Sequence, residues 1–173
     1  TACLVEAQDF KMTKHYPIPI ILIKGLQSKI GKIADYFYDY PSKKCHLIGI
    51  TGTNGKSSCA HFIGQALTYL GQKTGVLGTV GNGVWPELEP SVLTTMGNIG
   101  LQQALAGLVK QEVNAVAMEV SSHALSQNRV DAIAFNIAIF TSLSHDHLDY
   151  HKTMECYATA KARLFQCPSL EYA

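Results

Sequence analysis

The feature that most constrains this chain is ITGTNGKSS, Ile50 to Ser58, which follows the buried-type apolar run HLIGIT and precedes an amphipathic segment. A strand, a glycine-rich loop and a helix opening on Lys-Ser make the arrangement that binds the phosphates of a nucleotide. In the usual pattern G-x-x-x-x-G-K-[ST] the first glycine lies five residues before the second. Here that position is Ile50, and the nearest glycines are Gly49 and Gly52. The physical needs are still met. Gly52 and Gly55 allow the backbone to turn its N–H groups inward, the helix start faces the anion, Lys56 can reach outer phosphates and Ser57 can hold a magnesium ion. The bland alternative is a glycine-rich turn between strand and helix.

Apolar strands alternate with amphipathic helices after the loop. Cys59, Phe62, Ile63, Ala66, Leu67 and Leu70 form one helical stripe that stops at Gly71. Strands are expected over Thr74–Val80, Val113–Val120 and Ile133–Thr141, with helices over Asn98–Lys110 and Thr153–Phe165. This pattern implies an α/β fold, a mostly parallel sheet flanked by helices on both faces. Residues 1–44 read differently: a strand at Ala2–Val5, a polar loop, a strand at Ile18–Ile23 and a helix at Leu26–Tyr38 whose apolar residues are Leu26, Ile30, Ile33, Ala34 and Phe37. Two strands and a helix cannot close a core. Residues 1–44 are therefore expected to be the end of an N-terminal domain, with Pro41 to Lys44 as linker, and 45–173 the first part of a central nucleotide-binding domain. The chain opens on TACLVEA without an initiator methionine, which reads as a piece of a longer protein.

Composition narrows the partners. With a net charge of +1 and acids interspersed with bases, no global field recruits nucleic acid or an anionic membrane. The longest apolar run is too short to span a bilayer. Five widely spaced cysteines without a C-x-x-C pair argue against a disulfide framework and a zinc site, and point to a reducing cytoplasm. A monomer is expected.

Further segments carry chemistry. Glu119, at the carboxyl end of an expected strand, stands where open α/β sheets gather ligands and is a candidate magnesium ligand; its alternative is a satisfied strand-end carboxylate. Ser121, Gln127 and Arg129 follow with hydroxyl, amide and guanidinium groups, the last a natural clamp for carboxylate or phosphate. The run FTSLSHDHLDYH packs His145, His147 and His151 around Asp146 and Asp149. Zinc is one reading, magnesium with His147 as ligand or neighbour another, and a polar loop capping the last helix a third. Lys161 falls on the inward stripe of that helix with Met154, Tyr157, Ala158, Leu164 and Phe165. Its ammonium must reach solvent along its stem, or be paired, neutralised or chemically altered.

Taken together, GTNGKSS, Thr94-Thr95, MEVSSHALSQNRV, DHLDYH and YATAKARLF resemble the Mur ligase family, in its MurE-type branch of UDP-N-acetylmuramyl-dipeptide ligases (tripeptide synthetases) of peptidoglycan assembly. The resemblance implies that Gly52, Thr53, Asn54, Gly55, Lys56, Ser57 and Ser58 hold ATP, and that Ser57 and Glu119 hold magnesium. It further implies that His147 and a carbamylated Lys161 organise a second metal, with Lys56, His147 and Lys161 as the catalytic set. Thr94, Thr95, Ser121, Gln127 and Arg129 would bind the UDP-muramyl dipeptide. The implied reaction activates a carboxylate as an acyl phosphate for attack by an amino acid, diaminopimelate or lysine. The family usually carries asparagine at Ser142, arginine at His145 and glycine at Lys152. Its third domain has no counterpart in the chain, so the chain alone is expected to be inactive. A folate-type amide ligase and a non-catalytic nucleotide-binding paralogue are the alternatives.

Overall fold

The computed structural model describes residues 2–11 and 15–173; part of the expected polar loop, residues 12–14, lies outside the described residues. The N-terminal piece contains β1 (Cys3–Glu6), β2 (Ile20–Ile23) and α1 (Leu26–Phe37). β1 and β2 pair in parallel as a sheet of their own. The Glu6 carboxylate accepts hydrogen bonds from the Gly25 and Leu26 N–H groups at 3.0 and 2.6 Å, which satisfies donors at the start of α1 and holds the Glu6 carboxyl below its ordinary pKa. The buried face of α1 is Gly31, Ala34 and Asp35, whereas Phe37, expected inside, is 76% exposed. A 3-10 turn at Pro41–Lys43 follows. Pro41 and Ser42 are buried in it, and Ser42 Oγ accepts from the Ala134 N–H at 3.1 Å, so the expected linker is packed against the larger unit.

That larger unit comprises β3 (His46–Thr51), α2 (Lys56–Tyr69), β4 (Thr74–Leu77), the hairpin β5 (Asn82–Val84) and β6 (Glu87–Glu89), α3 (Asn98–Lys110), β7 (Ala115–Glu119), α4 (Ser122–Ser126), β8 (Ile137–Phe140), α5 (Leu148–His151) and α6 (Met154–Ala162). The six-stranded sheet runs β6-β5-β4-β7-β3-β8, with β4, β7, β3 and β8 parallel and the hairpin antiparallel at one edge. The hairpin has no expectation from sequence, because its strands are short and centred on polar and glycine residues. The strand expected at Thr74–Val80 ends at Leu77, and the helix expected over Thr153–Phe165 tightens after Ala162 into a 3-10 turn at Arg163–Gln166.

Period-two alternation sends one set of strand residues to each face. Leu47, Leu77, Val116 and Met118 pack with Leu101, Leu105 and Leu108 of α3, while Ile48, Ile50, Val76 and Ala117 pack with Ala60, Ile63 and Leu67 of α2. Both faces are apolar because both are covered. The inward side of α2 is Ala60, Ile63, Gly64 and Leu67; Phe62 and Leu70, expected on the buried stripe, are 69% and 72% exposed. The reason lies at Gly64, where an added Cβ would come within 2.9 Å of Val76 Cγ2. The helix approaches the sheet along its small residues and turns its large ones out.

Candidate phosphate and metal site

All four parallel strands deliver their carboxyl ends to one rim, and β7 is inserted between β3 and β4, the consecutive parallel strands. Such a rim is where open α/β sheets bind ligands. After β3 comes the loop Gly52–Gly55, with Gly52 at φ 147° and Gly55 at φ 85°. A Cβ on Gly52 would lie 1.9 Å from Thr141 Oγ1, so the first loop glycine is required by close approach as well as by conformation. The segment after β8 braces the loop. Thr141 Oγ1 donates to Asn54 O at 2.6 Å, Ser142 Oγ accepts from Asn54 N at 3.1 Å, and Ser144 N donates to Thr53 Oγ1 at 3.0 Å. Ser142, a departure from the family pattern, thus still ties the two loops together.

Lys56 Nζ donates to Gly52 O and Thr53 O, both at 2.9 Å, which holds the ammonium over the loop. Burial lowers its pKa, and the Glu119 and Asp146 carboxylates oppose that shift. Ser57 Oγ donates to Glu119 Oε2 at 3.0 Å; Ser58 is exposed on the first turn of α2. Glu119, 1% exposed, also accepts from Thr79 N at 2.8 Å and has the Thr79 hydroxyl oxygen 3.3 Å from its Oε2. This buried carboxylate therefore has its partners on both sides, as a buried charge requires.

The five residues expected to bind a muramyl substrate form a connected arc. Thr94 Oγ1 accepts from Thr79 Oγ1 at 3.0 Å. Thr95 Oγ1 donates to Glu119 O at 2.9 Å and accepts from Ser121 N at 3.0 Å. Ser121 Oγ caps α4 by accepting from Ala124 N at 3.1 Å. Arg129 Nη1 donates to Thr95 O at 3.0 Å and Arg129 Nε to Gln127 Oε1 at 2.9 Å, so the guanidinium is held in place.

Two of the three histidines stay together, His147 and His151, whose rings both pack on that of His123, at 4.9 and 5.5 Å. His147 sits at φ 53° as the residue before α5, its Nε2 lying 3.5 Å from Asp146 Oδ2. His151 is buried, with Nε2 at 2.9 Å from Ser122 Oγ, and His145 is exposed. Among the described residues no group of three or more His, Cys, Asp or Glu side chains is gathered to hold a metal. His123, not singled out from sequence, packs its ring 4.9 Å from that of His147 and 4.3 Å from that of Tyr150.

Lys161 is 1% exposed, so its ammonium does not reach solvent. Its Nζ donates to Gly52 O at 2.7 Å and lies 4.3 Å from the centroid of the Tyr157 ring, whose hydroxyl is 3.2 Å from Thr53 Oγ1. Burial, reinforced by repulsion from Lys56 and opposed by Asp146, lowers the Lys161 pKa to about 8. Two lysines thus share one loop carbonyl. Sequence reasoning missed Thr79 and the role of Tyr157. Thr79 had a signal, a hydroxyl residue just past a strand's carboxyl end; Tyr157 had none beyond its place on an apolar stripe.

The rim thus offers a phosphate cradle, a buried carboxylate beside a hydroxyl, and a polar arc with a fixed guanidinium. Comparison with known proteins agrees in kind. A family model, the Mur ligase middle domain, matches residues 50–172. The UDP-N-acetylmuramoyl-L-alanyl-D-glutamate--2,6-diaminopimelate ligase of Coxiella burnetii is 52% identical over 169 residues, covering 98% of this chain and 35% of that protein. Its namesake in Pseudomonas putida is also 52% identical, over 98% of this chain and 34% of that protein. A solved structure of a ligase of the same name superposes with a TM-score of 0.76 at 35% identity, covering 91% of this chain and 32% of that one. The chain spans about a third of the length of the curated relatives it matches.

Proposed function

Because this chain belongs to the Mur ligase middle-domain family, we propose that it is the ATP-binding part of a ligase that adds diaminopimelate to UDP-N-acetylmuramoyl-L-alanyl-D-glutamate. The observation that carries the reading is the position of Glu119. One side of its carboxylate meets Ser57 of the phosphate loop, and the other meets Thr79, which bonds to Thr94 of the arc. A nucleotide subsite and an acceptor subsite thereby share one buried charge.

Gly52 to Ser58 bind the ATP phosphates, with Lys56 exchanging its loop carbonyls for phosphate oxygens. Ser57 and Glu119 present hard oxygen donors, which suit magnesium. Bound there, the ion supplies neutralisation of charge as an anionic carboxylate meets the γ-phosphate. Thr94, Thr95, Ser121, Gln127 and Arg129 orient the muramyl dipeptide so that its carboxylate lies in line. Transfer of the γ-phosphoryl group gives an acyl phosphate, the incoming amine attacks its carbonyl carbon, and inorganic phosphate leaves. Separation into residues 1–44 and 45–173 as parts of two domains belongs to the same proposal.

The donor at Lys161 fits magnesium only in altered form, since a protonated amine cannot ligate and a neutral one offers nitrogen where the ion prefers oxygen. A pKa near 8 leaves about half of the amine neutral at pH 8, against about 0.3% for an ordinary lysine at 10.5. Neutral amine is what carbon dioxide reacts with. The carbamate formed would supply carboxylate oxygens to a metal site with His147. Calorimetric titration of the chain with magnesium-ATP, and separately with UDP-muramyl dipeptide, tests the reading. Binding of both is expected, and binding of neither would overturn it.

A further inference from the structure

We propose that Thr79 is a positioning residue that couples occupancy of the acceptor arc to magnesium-nucleotide binding, acting through Glu119. The inference rests on the ligase reading above and adds to it the residue through which the two subsites communicate. Thr79 is the second residue past β4, and its backbone N–H donates to Glu119 Oε1 at 2.8 Å. Its hydroxyl lies between two acceptors, Thr94 Oγ1 at 3.0 Å and Glu119 Oε2 at 3.3 Å. A hydroxyl has one proton to donate. When that proton goes to Thr94, Glu119 Oε2 keeps Ser57 as its hydroxyl donor. When Thr94 instead donates to Thr79, the Thr79 proton is free to turn to Glu119.

A ligand that accepts or donates at Thr94 therefore selects the direction of the chain, and with it how many donors the metal-side oxygen carries. The carboxylate cannot evade this by shifting, because it lies flat on Gly78. A Cβ there would come within 2.2 Å of Glu119 Oε1 and 2.7 Å of Glu119 Cδ. On the other flank Thr95 Oγ1 fixes the Glu119 backbone carbonyl and the Ser121 N–H. Glu119 is thus held by the Thr79 N–H, the Gly78 backbone and the Thr95 hydroxyl, and the Thr79 hydroxyl is the contact that can switch.

The test is a set of titrations of the chain and its Thr79→Val and Thr79→Ser variants with magnesium-AMPPNP, with and without UDP-muramyl dipeptide. Valine keeps the shape and the backbone N–H while removing the hydroxyl; serine restores it. The parent chain should bind the nucleotide at least about fivefold more or less tightly when the dipeptide is present, a usual size for linked sites. In Thr79→Val that factor should fall towards one, with nucleotide affinity alone changed by roughly 3- to 10-fold, and Thr79→Ser should recover the parent factor. Circular dichroism establishes that the variants fold. If the parent binds both ligands with a factor near one, or if Thr79→Val retains the full coupling factor, Thr79 has no such role although the ligase reading stands. If the parent binds neither ligand, the ligase reading fails and this inference with it.

Discussion

Lys161 Nζ donates to the Gly52 carbonyl at 2.7 Å across 109 positions of sequence, so the last helix is fastened to the first glycine of the phosphate loop. The contact brings a buried amine to the same oxygen that receives Lys56. Replacing Lys161 by alanine in a ligase of full family length is expected to abolish turnover, and a short carboxylic acid such as acetate should restore a substantial part of it. Full activity without the acid would remove the carbamate from the mechanism. The pH dependence has a definite sign. Burial favours the neutral amine, so the carbamylated fraction should rise between pH 6.5 and 8.5 when dissolved carbon dioxide is held constant by a fixed partial pressure of the gas. Carbon-13 NMR with labelled carbon dioxide reads that fraction in the chain itself.

Gly52→Ala is expected to eliminate nucleotide binding. The added methyl would meet Thr141 Oγ1 at 1.9 Å and Ser142 N at 2.9 Å, at a φ of 147° that side chains rarely adopt. Relief requires breaking the brace that Thr141 gives to Asn54, at a cost of about 1–3 kcal/mol. Gly71→Ala, which meets no atom within 4 Å but has φ 82°, controls for backbone strain alone. Titration with magnesium-ATP should separate the two: affinity lost at Gly52, retained at Gly71.

Much of the rim was legible because phosphate binding leaves short-range traces. GTNGKSS carries its glycines, lysine and serine within one loop, and Glu119 closes an apolar strand. What could not be read were contacts between segments far apart in sequence. Ser142 reaching Asn54, Tyr157 reaching Thr53 and Thr79 reaching Thr94 depend on which strands become neighbours, and hydrophobic periodicity does not fix sheet order. Helix α2 shows a second limit. Its large apolar residues outvote its small ones in any stripe read from sequence, yet close packing on the sheet selects Ala60 and Gly64.

Asp35 gives a pH prediction outside the site. The residue is 9% exposed, Oδ1 has no hydrogen-bond partner among the described residues, and burial raises its pKa above 3.8 despite the attraction of Lys43 and a hydrogen bond with the Gln102 side chain. A carboxyl raised in the folded state binds its proton more tightly there than in the unfolded chain. Its contribution to stability is therefore full below the unfolded pKa and lost as pH rises through the folded one. Asp35→Asn removes that loss. It should raise Tm by about 3 °C at pH 7.5, corresponding to about 1 kcal/mol, with the advantage shrinking towards pH 4. Thermal melts at the two pH values check it, and an equal shift at both would show that charge is not the cause.

The orientation of α2 can be tested by two substitutions with opposite expectations. Leu105, fully buried between α3 and the sheet, should lose about 2–5 kcal/mol on change to alanine, because the methyls removed leave a void among Leu47, Val116 and their neighbours. Phe62 is the larger side chain and would be the more damaging change if it faced the core. Being 69% exposed, it should tolerate serine within about 0.5 kcal/mol. Urea unfolding of both variants decides the matter through the midpoint at constant slope. A loss at Phe62 comparable to that at Leu105 would mean that α2 is rotated, with Phe62 rather than Gly64 against Val76. In that case the N-terminal turn of α2, and with it Ser57, could not meet Glu119 as described.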